Sequence, residues 1–244
     1  MSLSEMAVAG AELLRALVPS PCVVCGEELG WGVSRVASCC RRCWDELPRL
    51  SGARCSRCAL PWDGHDRAEV FTCIECQSSS SPLDWIDSWG HYRQGTVDVV
   101  HALKFARHDF LGAALSTLLV EALELRGDLE FSAVVPVPMH RAKRQKRGYN
   151  QAALLARGVA RQTGIALRRG WLEKTINTQP QSSLSREDRA ANVRAAYSAR
   201  PGCIGSSILL VDDICTTGET LKACALALKK KGAVRVCAVT LARA

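Results

Sequence analysis

Cysteine pairs recur along the first third of this 244-residue chain at a spacing that few folds accommodate. Four C-x2-C pairs are present, and the first two are repeated by the last two at an offset of 33 residues. The eight cysteines are Cys22, Cys25, Cys40, Cys43, Cys55, Cys58, Cys73 and Cys76. Because Zn²⁺ binds four thiolates in a tetrahedron and a C-x2-C turn presents two sulfurs to one ion, the repeat predicts two structural zinc sites.

The identity and pairing of the zinc ligands leave alternatives at this stage. Cys39 can replace Cys40, since a C-x3-C spacing also suits zinc. The pairs can also be crossed, with the first and third around one ion, but sequential pairing makes each copy self-sufficient and is our prediction. A disulfide framework is disfavoured, because the cysteine total of 13 is odd and the first residues lack the basic start of a signal peptide.

Composition divides the chain into three parts. We expect an N-terminal helix over residues 1–19, a double four-cysteine zinc-binding domain over 20–78 and a larger domain over 83–244, with the polar stretch QSSSSP as a linker. Residues 1–80 carry a net charge of −2 and residues 81–244 carry +10. No apolar run reaches the roughly 18 residues that span a bilayer, so we predict a cytoplasmic protein without a membrane span.

Past the linker, short β-branched segments alternate with stretches of helical periodicity. The predicted strands are residues 86–92, 132–137, 207–211 and 234–241. The predicted helices are residues 95–106, 110–125, 150–162 and 219–231. This alternation favours an α/β fold in which helices flank a parallel sheet on both faces. In such sheets ligands bind beyond the carboxyl ends of the strands.

The sharpest candidate site follows the predicted strand 207–211. Two adjacent carboxylates, Asp212 and Asp213, precede a short loop that opens a helix. The loop residues are Thr216, Thr217, Gly218, Glu219 and Thr220. Backbone N–H groups at a helix N-terminus bind phosphate and glycine allows close approach, whereas carboxylates suit a sugar diol or Mg²⁺. The pattern therefore predicts a sugar-phosphate site.

A basic run follows the predicted strand 132–137. Five of the seven residues 141–147 are Lys or Arg. Guanidinium groups bind phosphate oxygens in pairs, so this run is a candidate pyrophosphate site, with a solvated basic loop as the alternative interpretation. The candidate ligands are His140, Arg141, Arg144 and Arg147.

The segment LLVDDICTTGET resembles the phosphoribosyl-pyrophosphate (PRPP) signature of type I phosphoribosyltransferases. The resemblance implies a type I phosphoribosyltransferase-like core. It also implies that Asp212 and Asp213 hold the ribose hydroxyls, with a catalytic electrostatic role, and that residues 216–220 bind the 5′-phosphate. VPVPMHRAKRQKRGYNQAALLA, HALKF and TQPQSSLSREDRAANVRAAY resemble segments of the ComF family, and the cysteine pairs before the core match it as well.

The ComF resemblance carries further expectations. It implies PRPP and Mg²⁺ as ligands, and a link to DNA uptake in natural transformation with single-stranded DNA and competence proteins as partners. It also implies a flexible loop near the reacting centre, for which the candidates are Lys174, Gln181 and Arg189. Three functions stay open: a phosphoribosyltransferase with an unknown acceptor, a non-catalytic module that binds DNA or competence proteins, and a PRPP sensor.

Overall fold

The computed structural model describes residues 21–29, 35–36, 38–62, 71–78, 80–105, 111–177 and 195–244. Within them the strands are β1 (Arg35–Val36), β2 (Cys39–Cys40), β3 (Trp85–His91), β4 (Ala133–Pro136), β5 (Leu172–Lys174), β6 (Tyr197–Ala199), β7 (Ser207–Cys215) and β8 (Arg235–Arg243). The helices are α1 (Arg41–Asp45), α2 (Ile74–Ser78), α3 (Thr96–Phe105), α4 (Leu111–Arg126), α5 (Arg141–Arg147), α6 (Gln151–Thr163) and α7 (Glu219–Lys230). The expected helix 1–19 lies outside the described residues, as do Gln181 and Arg189 of the expected flexible loop. Among the described helices, none has the length and hydropathy to cross a membrane.

The core is a four-stranded parallel sheet in the order β3-β8-β7-β4. Alternate side chains of a strand point to opposite faces, and β7 shows the consequence. Leu209 and Val211 pack in one hydrophobic cluster with α4 and α6, while Ile208 and Leu210 pack in a second cluster with α7. The predicted parallel sheet with helices on both faces is confirmed.

The structure differs in two places from the local structure considered on sequence grounds. The strand expected to end at Val211 continues through both acids to Cys215, because β8 runs on to Arg243 and pairs with it over its whole length. The basic run, for which a solvated loop was the alternative interpretation, is the helix α5. His140 caps it by accepting a hydrogen bond on Nδ1 from the Ala142 N–H, and Gly148 ends it at a φ of 92°.

The end of β4 opens a crevice beside the acids. On one side β7 pairs with β4 only as far as Val211, which lies opposite Pro136. The Val137 N–H still reaches the Val211 carbonyl at 3.0 Å. Past that point β7 keeps β8 as its partner on the other side alone, so Asp212 and Asp213 follow directly where the sheet loses a strand. This is the strand-end position at which parallel sheets bind ligands.

The cysteine-rich segment covers the edge strand β3, which otherwise presents unpaired backbone groups. The Leu50 N–H donates to the Trp89 carbonyl at 2.9 Å, and the His91 N–H donates to the Pro48 carbonyl at 2.8 Å. A Cβ on Gly90 would lie 2.7 Å from the Pro48 carbonyl oxygen, so this approach requires glycine at position 90. The contact makes the cysteine-rich segment part of the sheet's edge.

A buried carboxylate also links the two parts. Asp87 on β3 is fully buried, and its Oδ2 lies 3.4 Å from guanidinium nitrogens of both Arg54 and Arg126. Arg126 also donates to the Ser56 carbonyl at 2.8 Å and lies over the Trp85 ring. Buried charges are tolerated in proteins when they are paired in this way.

Candidate functional site

The eight predicted cysteines form two compact clusters. Within each cluster one ligand atom per residue lies within 4.8 Å of the others, and the clusters follow the sequential pairing, with Cys40 as a member of the first. A Zn–S bond of about 2.3 Å in a tetrahedron places sulfurs about 3.8 Å apart. The Sγ atoms of Cys25 and Cys40 are 3.9 Å apart and those of Cys58 and Cys73 are 3.7 Å apart, so both clusters fit zinc.

In each cluster the protein stabilises the thiolate form of one cysteine. Burial opposes ionisation of Cys22, but hydrogen bonds from the backbone outweigh it and lower its pKa to about 6. The Cys40 N–H is one of these donors, at 3.3 Å from the sulfur. Cys55 has the same environment, with the Cys73 N–H at 3.3 Å and a pKa of about 7. The two repeats therefore agree in their electrostatics as well as in their spacing.

A cavity of about 180 Å³ lies in the crevice past the end of β4, and we call it the sugar-phosphate cavity. Five residues predicted from the sequence line it: Asp212 and Asp213 from β7, Thr220 from α7, His140 before α5, and Lys174 at the end of β5. Three separate segments of the core domain thus bring carboxylates, a hydroxyl and cations to one small cavity.

The two acids differ in their surroundings. Asp213 is buried, and its Oδ2 is 2.9 Å from the Lys104 ammonium and 3.5 Å from the Gln151 amide nitrogen. Burial, followed by the neighbouring charge of Asp213, raises the pKa of Asp212 well above its usual value. Asp212 accepts a hydrogen bond from the Asp213 N–H at 2.9 Å but forms no ion pair among the described residues, as expected of a group whose charged partner is a ligand.

The predicted phosphate loop lies between β7 and α7. Thr216 and Thr217 are exposed, and Gly218 caps α7 at a φ of 77°, which favours glycine. A Cβ there would also meet the Ile86 side chain at 3.3 Å. The Glu219 carboxylate is turned to Lys222, 2.9 Å away, and the Glu219 N–H donates to the Thr217 hydroxyl at 3.4 Å. The N–H groups at a helix start suit a bound anion.

The predicted pyrophosphate residues are distributed over three cavities because they lie on different faces of α5. His140 lines the sugar-phosphate cavity. Arg141 and Arg144 line a larger groove of about 640 Å³ beside it. Arg147 lines a third cavity and bonds to Gln151 Oε1 at 2.7 Å. Their assignment to pyrophosphate stays a prediction.

Lys174 lies between the sugar-phosphate cavity and the groove and lines both. Its ammonium is 5.2 Å from the centre of the Tyr197 ring. Burial and the nearby charge of Lys143 lower the pKa of Lys174. A partly desolvated cation of this kind gains from a bound anion.

Comparison with known proteins connects both halves of this architecture. A family model described as a phosphoribosyl transferase domain matches residues 146–244, and one described as a double zinc ribbon domain matches residues 13–79. The DNA utilization protein YhgH of Salmonella typhi is 30% identical over 227 residues, which cover 90% of this chain and 95% of that protein. Competence protein F of Haemophilus influenzae is 28% identical over 221 residues, with coverages of 84% and 96%. The chain belongs to the ComF family.

Among solved structures, the allosteric regulatory enzyme of purine biosynthesis aligns with 53% of this ComF-family chain and 26% of its own, at 25% identity and a TM-score of 0.38. The family assignment rests on the relatives that match over nearly the whole chain.

Several residues that line the sugar-phosphate cavity were not assigned from the sequence. The sugar-phosphate cavity is also lined by Lys143, Asn150, Gln151, Asn177 and Tyr197. The RGYNQ segment contained a signal, because an Asn directly before a helix predicts a cap. Asn150 does cap α6, and its Nδ2 donates to the Val137 carbonyl at 2.9 Å, which holds this segment against the crevice.

Zinc content tests the ligand set of this ComF-family chain. We expect about two zinc ions per chain in the wild type, and about one after Cys40→Ser, because a four-thiolate site loses most of its affinity with one thiolate. Cys39→Ser is the matched control. Cys39 is buried outside the cluster and burial raises its pKa to about 12, so this variant should keep both ions. Elemental analysis of folded protein measures both; zinc loss in Cys39→Ser alone would reverse the assignment.

Proposed function

We propose that this chain binds PRPP together with Mg²⁺ and transfers its phosphoribosyl group to a nucleophile, in the cytoplasm and in connection with DNA uptake. The observation that carries the proposal is the sugar-phosphate cavity. It places an acid pair, of which Asp213 is buried, the opening of α7 and several cations around a space of about 180 Å³. The printed names of the relatives, DNA utilization protein and competence protein, support the connection to DNA.

The proposed reaction is a displacement at the anomeric carbon. The bond between that carbon and the pyrophosphate oxygen breaks with its electron pair on oxygen, and a bond from the nucleophile to the same carbon forms. When the attacking atom carries a proton, that proton leaves to pyrophosphate or water. Positive charge develops on the sugar in the transition state, and the carboxylates of Asp212 and Asp213 stabilise it electrostatically. The cations of Lys174 and Lys143, which line the same cavity, suit the leaving pyrophosphate.

The carboxylates that line the cavity also suit a Mg²⁺ ion bound together with PRPP. Mg²⁺ prefers carboxylates and phosphate oxygens, and Asp212 is the acid of the pair that forms no ion pair among the described residues. When bound, the ion neutralises charge on the pyrophosphate. Asp213 is already paired with Lys104, so we assign the ribose hydroxyls to Asp213 and a share of the metal to Asp212.

A thermal-shift titration tests the proposal. PRPP at about 100 times its Kd should add about 2.7 kcal/mol to the free energy of unfolding, a Tm rise of roughly 5–10 °C for a chain of this size. The rise should require Mg²⁺. Ribose 5-phosphate, which lacks the pyrophosphate, should give a smaller rise with little dependence on the metal. Absence of any PRPP-dependent shift in zinc-loaded protein would refute the proposed ligand.

A second candidate function, binding of single-stranded DNA, is favoured by the groove beside the site. Four arginines and Lys174 line it against a single carboxylate among the described residues, Glu173. The arginines are Arg141, Arg144, Arg157 and Arg169. Each phosphate contact should contribute about −0.7 to the slope of log affinity against log salt. The double variant Arg144→Ala/Arg157→Ala should therefore flatten that slope by about 1.4. Arg161 lies on α6 as Arg157 does, but outside the groove, so Arg161→Ala should leave the slope unchanged.

A further inference from the structure

We infer that a second cavity beside the sugar-phosphate cavity binds a planar nitrogen heterocycle that carries a carboxylate or carbonyl oxygens, and that a ring nitrogen is the nucleophile of the proposed transfer. The nitrogen lone pair forms the bond to the anomeric carbon as pyrophosphate leaves with the electron pair of the broken bond. The inference rests on the proposed function, because the position of the ring next to the sugar gives it that role. The cavity has a volume of about 340 Å³, and we call it the aromatic cavity after Phe105 and His101 in its wall.

The two cavities are neighbours that share parts of their walls. Lys143 and Gln151 line both of them. Lys104 lines the aromatic cavity, and its ammonium is 2.9 Å from the carboxylate of Asp213, which lines the sugar-phosphate cavity. A ligand in the aromatic cavity therefore lies beside the sugar of a ligand in the first.

Phe105 offers this cavity a stacking surface. Its side chain is 61% exposed at the end of α3, while the guanidinium carbon of Arg147 lies 5.1 Å from its ring centre. The His101 ring lies 4.6 Å away on the same helix, at an interplanar angle of 38°. An isolated exposed apolar side chain is ordinary, but a ring with a planar cation over it, inside a cavity, suits a planar ligand.

The charged residues that line the aromatic cavity favour particular substituents on the ring of the proposed ligand. Lys104, Lys143 and Arg147 line the aromatic cavity, and no carboxylate does so among the residues that the structure describes. Cations and N–H groups donate hydrogen bonds, so a ring with carboxylate or carbonyl oxygens finds partners. On a ring that carries amino groups, hydrogen-bond donors would lie opposite the donors of Lys104, Lys143 and Arg147.

Arg147 has the geometry to respond to such a ligand. Its guanidinium is held by Gln151 Oε1 at 2.7 Å, and the amide nitrogen of the same Gln151 is 3.5 Å from Asp213. A carboxylate on the ring would offer Arg147 a two-point ion pair in place of one neutral hydrogen bond. The bound ring would then lie between a cation and the acid pair that holds the sugar.

The test measures binding of matched rings by titration calorimetry to the zinc-loaded full chain, with Mg²⁺ and ribose 5-phosphate present. Nicotinate and 3-aminopyridine share one ring and differ in its substituent, a carboxylate against an amino group, and we expect nicotinate to bind more tightly. Phe105→Leu, which keeps an apolar side chain without the ring, should weaken nicotinate about tenfold or more. Phe105→Trp should restore most of the affinity. The Kd for PRPP should be unchanged in both variants.

The outcomes separate the two proposals. Absence of PRPP binding to the wild type refutes the proposed function. PRPP binding together with equal affinity for both rings, or with nicotinate binding unaffected by Phe105→Leu, refutes the aromatic cavity alone. Oligothymidylate presents a ring with two carbonyl oxygens and serves as a third ligand. If Phe105→Leu weakens the binding of oligothymidylate and no free ring binds to the wild type, the stacking site is supported. The same result would overturn the role of a free ring as the acceptor.

Discussion

Replacing Asp212 and Asp213 together by asparagine is expected to weaken PRPP binding more than about a hundredfold while the protein stays folded. Hydrogen bonds to charged groups contribute about 1.5–3 kcal/mol each, and two such bonds to the ribose and its metal account for that loss. Asparagine keeps the shape of the side chain, so the change is one of charge and acceptor strength. Calorimetric titration of the wild type and the variant measures it, and unchanged affinity would overturn the site assignment.

The two single variants serve as a control, because we expect their Tm values to change in opposite directions. The pKa of Asp212 is raised in the folded protein, so its ionised form costs stability at every pH above its ordinary unfolded value. Asp212→Asn removes that cost, and should raise the Tm of the unliganded protein at pH 8, with a gain that shrinks as the pH falls. Asp213→Asn loses the ion pair with Lys104 at 2.9 Å and should lower the Tm. Equal losses in both variants would contradict the electrostatic difference between the two acids.

Removal of the second zinc site by Cys58→Ser is expected to have the other large effect, a loss of one zinc together with weaker PRPP binding. Structural zinc contributes about 10–16 kcal/mol of binding free energy in small metal-dependent domains, and much of it depends on the full ligand set. The second site is connected to the phosphate loop through Arg243. The Arg243 side chain donates to the Cys58 carbonyl at 3.3 Å, to the Cys215 carbonyl at 3.0 Å and to the Thr216 carbonyl.

Two matched variants isolate this connection. Cys25→Ser removes a ligand of the first site, whose described contacts reach the core on the side of α4, away from the phosphate loop. It should also lose one zinc but change the Kd for PRPP less. Arg243→Ala should keep both zinc ions and weaken PRPP by about tenfold, the equivalent of about 1.4 kcal/mol. PRPP affinity that is equal in Cys58→Ser and Cys25→Ser would show that Arg243 does not couple the second zinc site to the loop.

Local patterns allowed much of the architecture to be predicted. The C-x2-C repeat identified two four-cysteine sets, because two sulfurs on one tight turn reach the same ion whatever the rest of the chain does. Alternating apolar segments and helical periodicity predicted the parallel sheet and its flanking helices, because burial on both sides depends on the spacing of apolar residues along the chain. The acid pair before a Thr-rich helix start was likewise visible as a motif.

The sequence by itself determined which residue types lie at each strand end and how many metal sites the chain can build. Only the tertiary structure decided that β7 extends through both acids, since that depends on the partner β8 rather than on local propensity. It also decided that Lys104 and Gln151, 109 and 62 positions before Asp213, meet its carboxylate, and that the basic residues of α5 face three different cavities. These contacts join distant segments through strand register and helix orientation, which no periodicity within a single segment encodes.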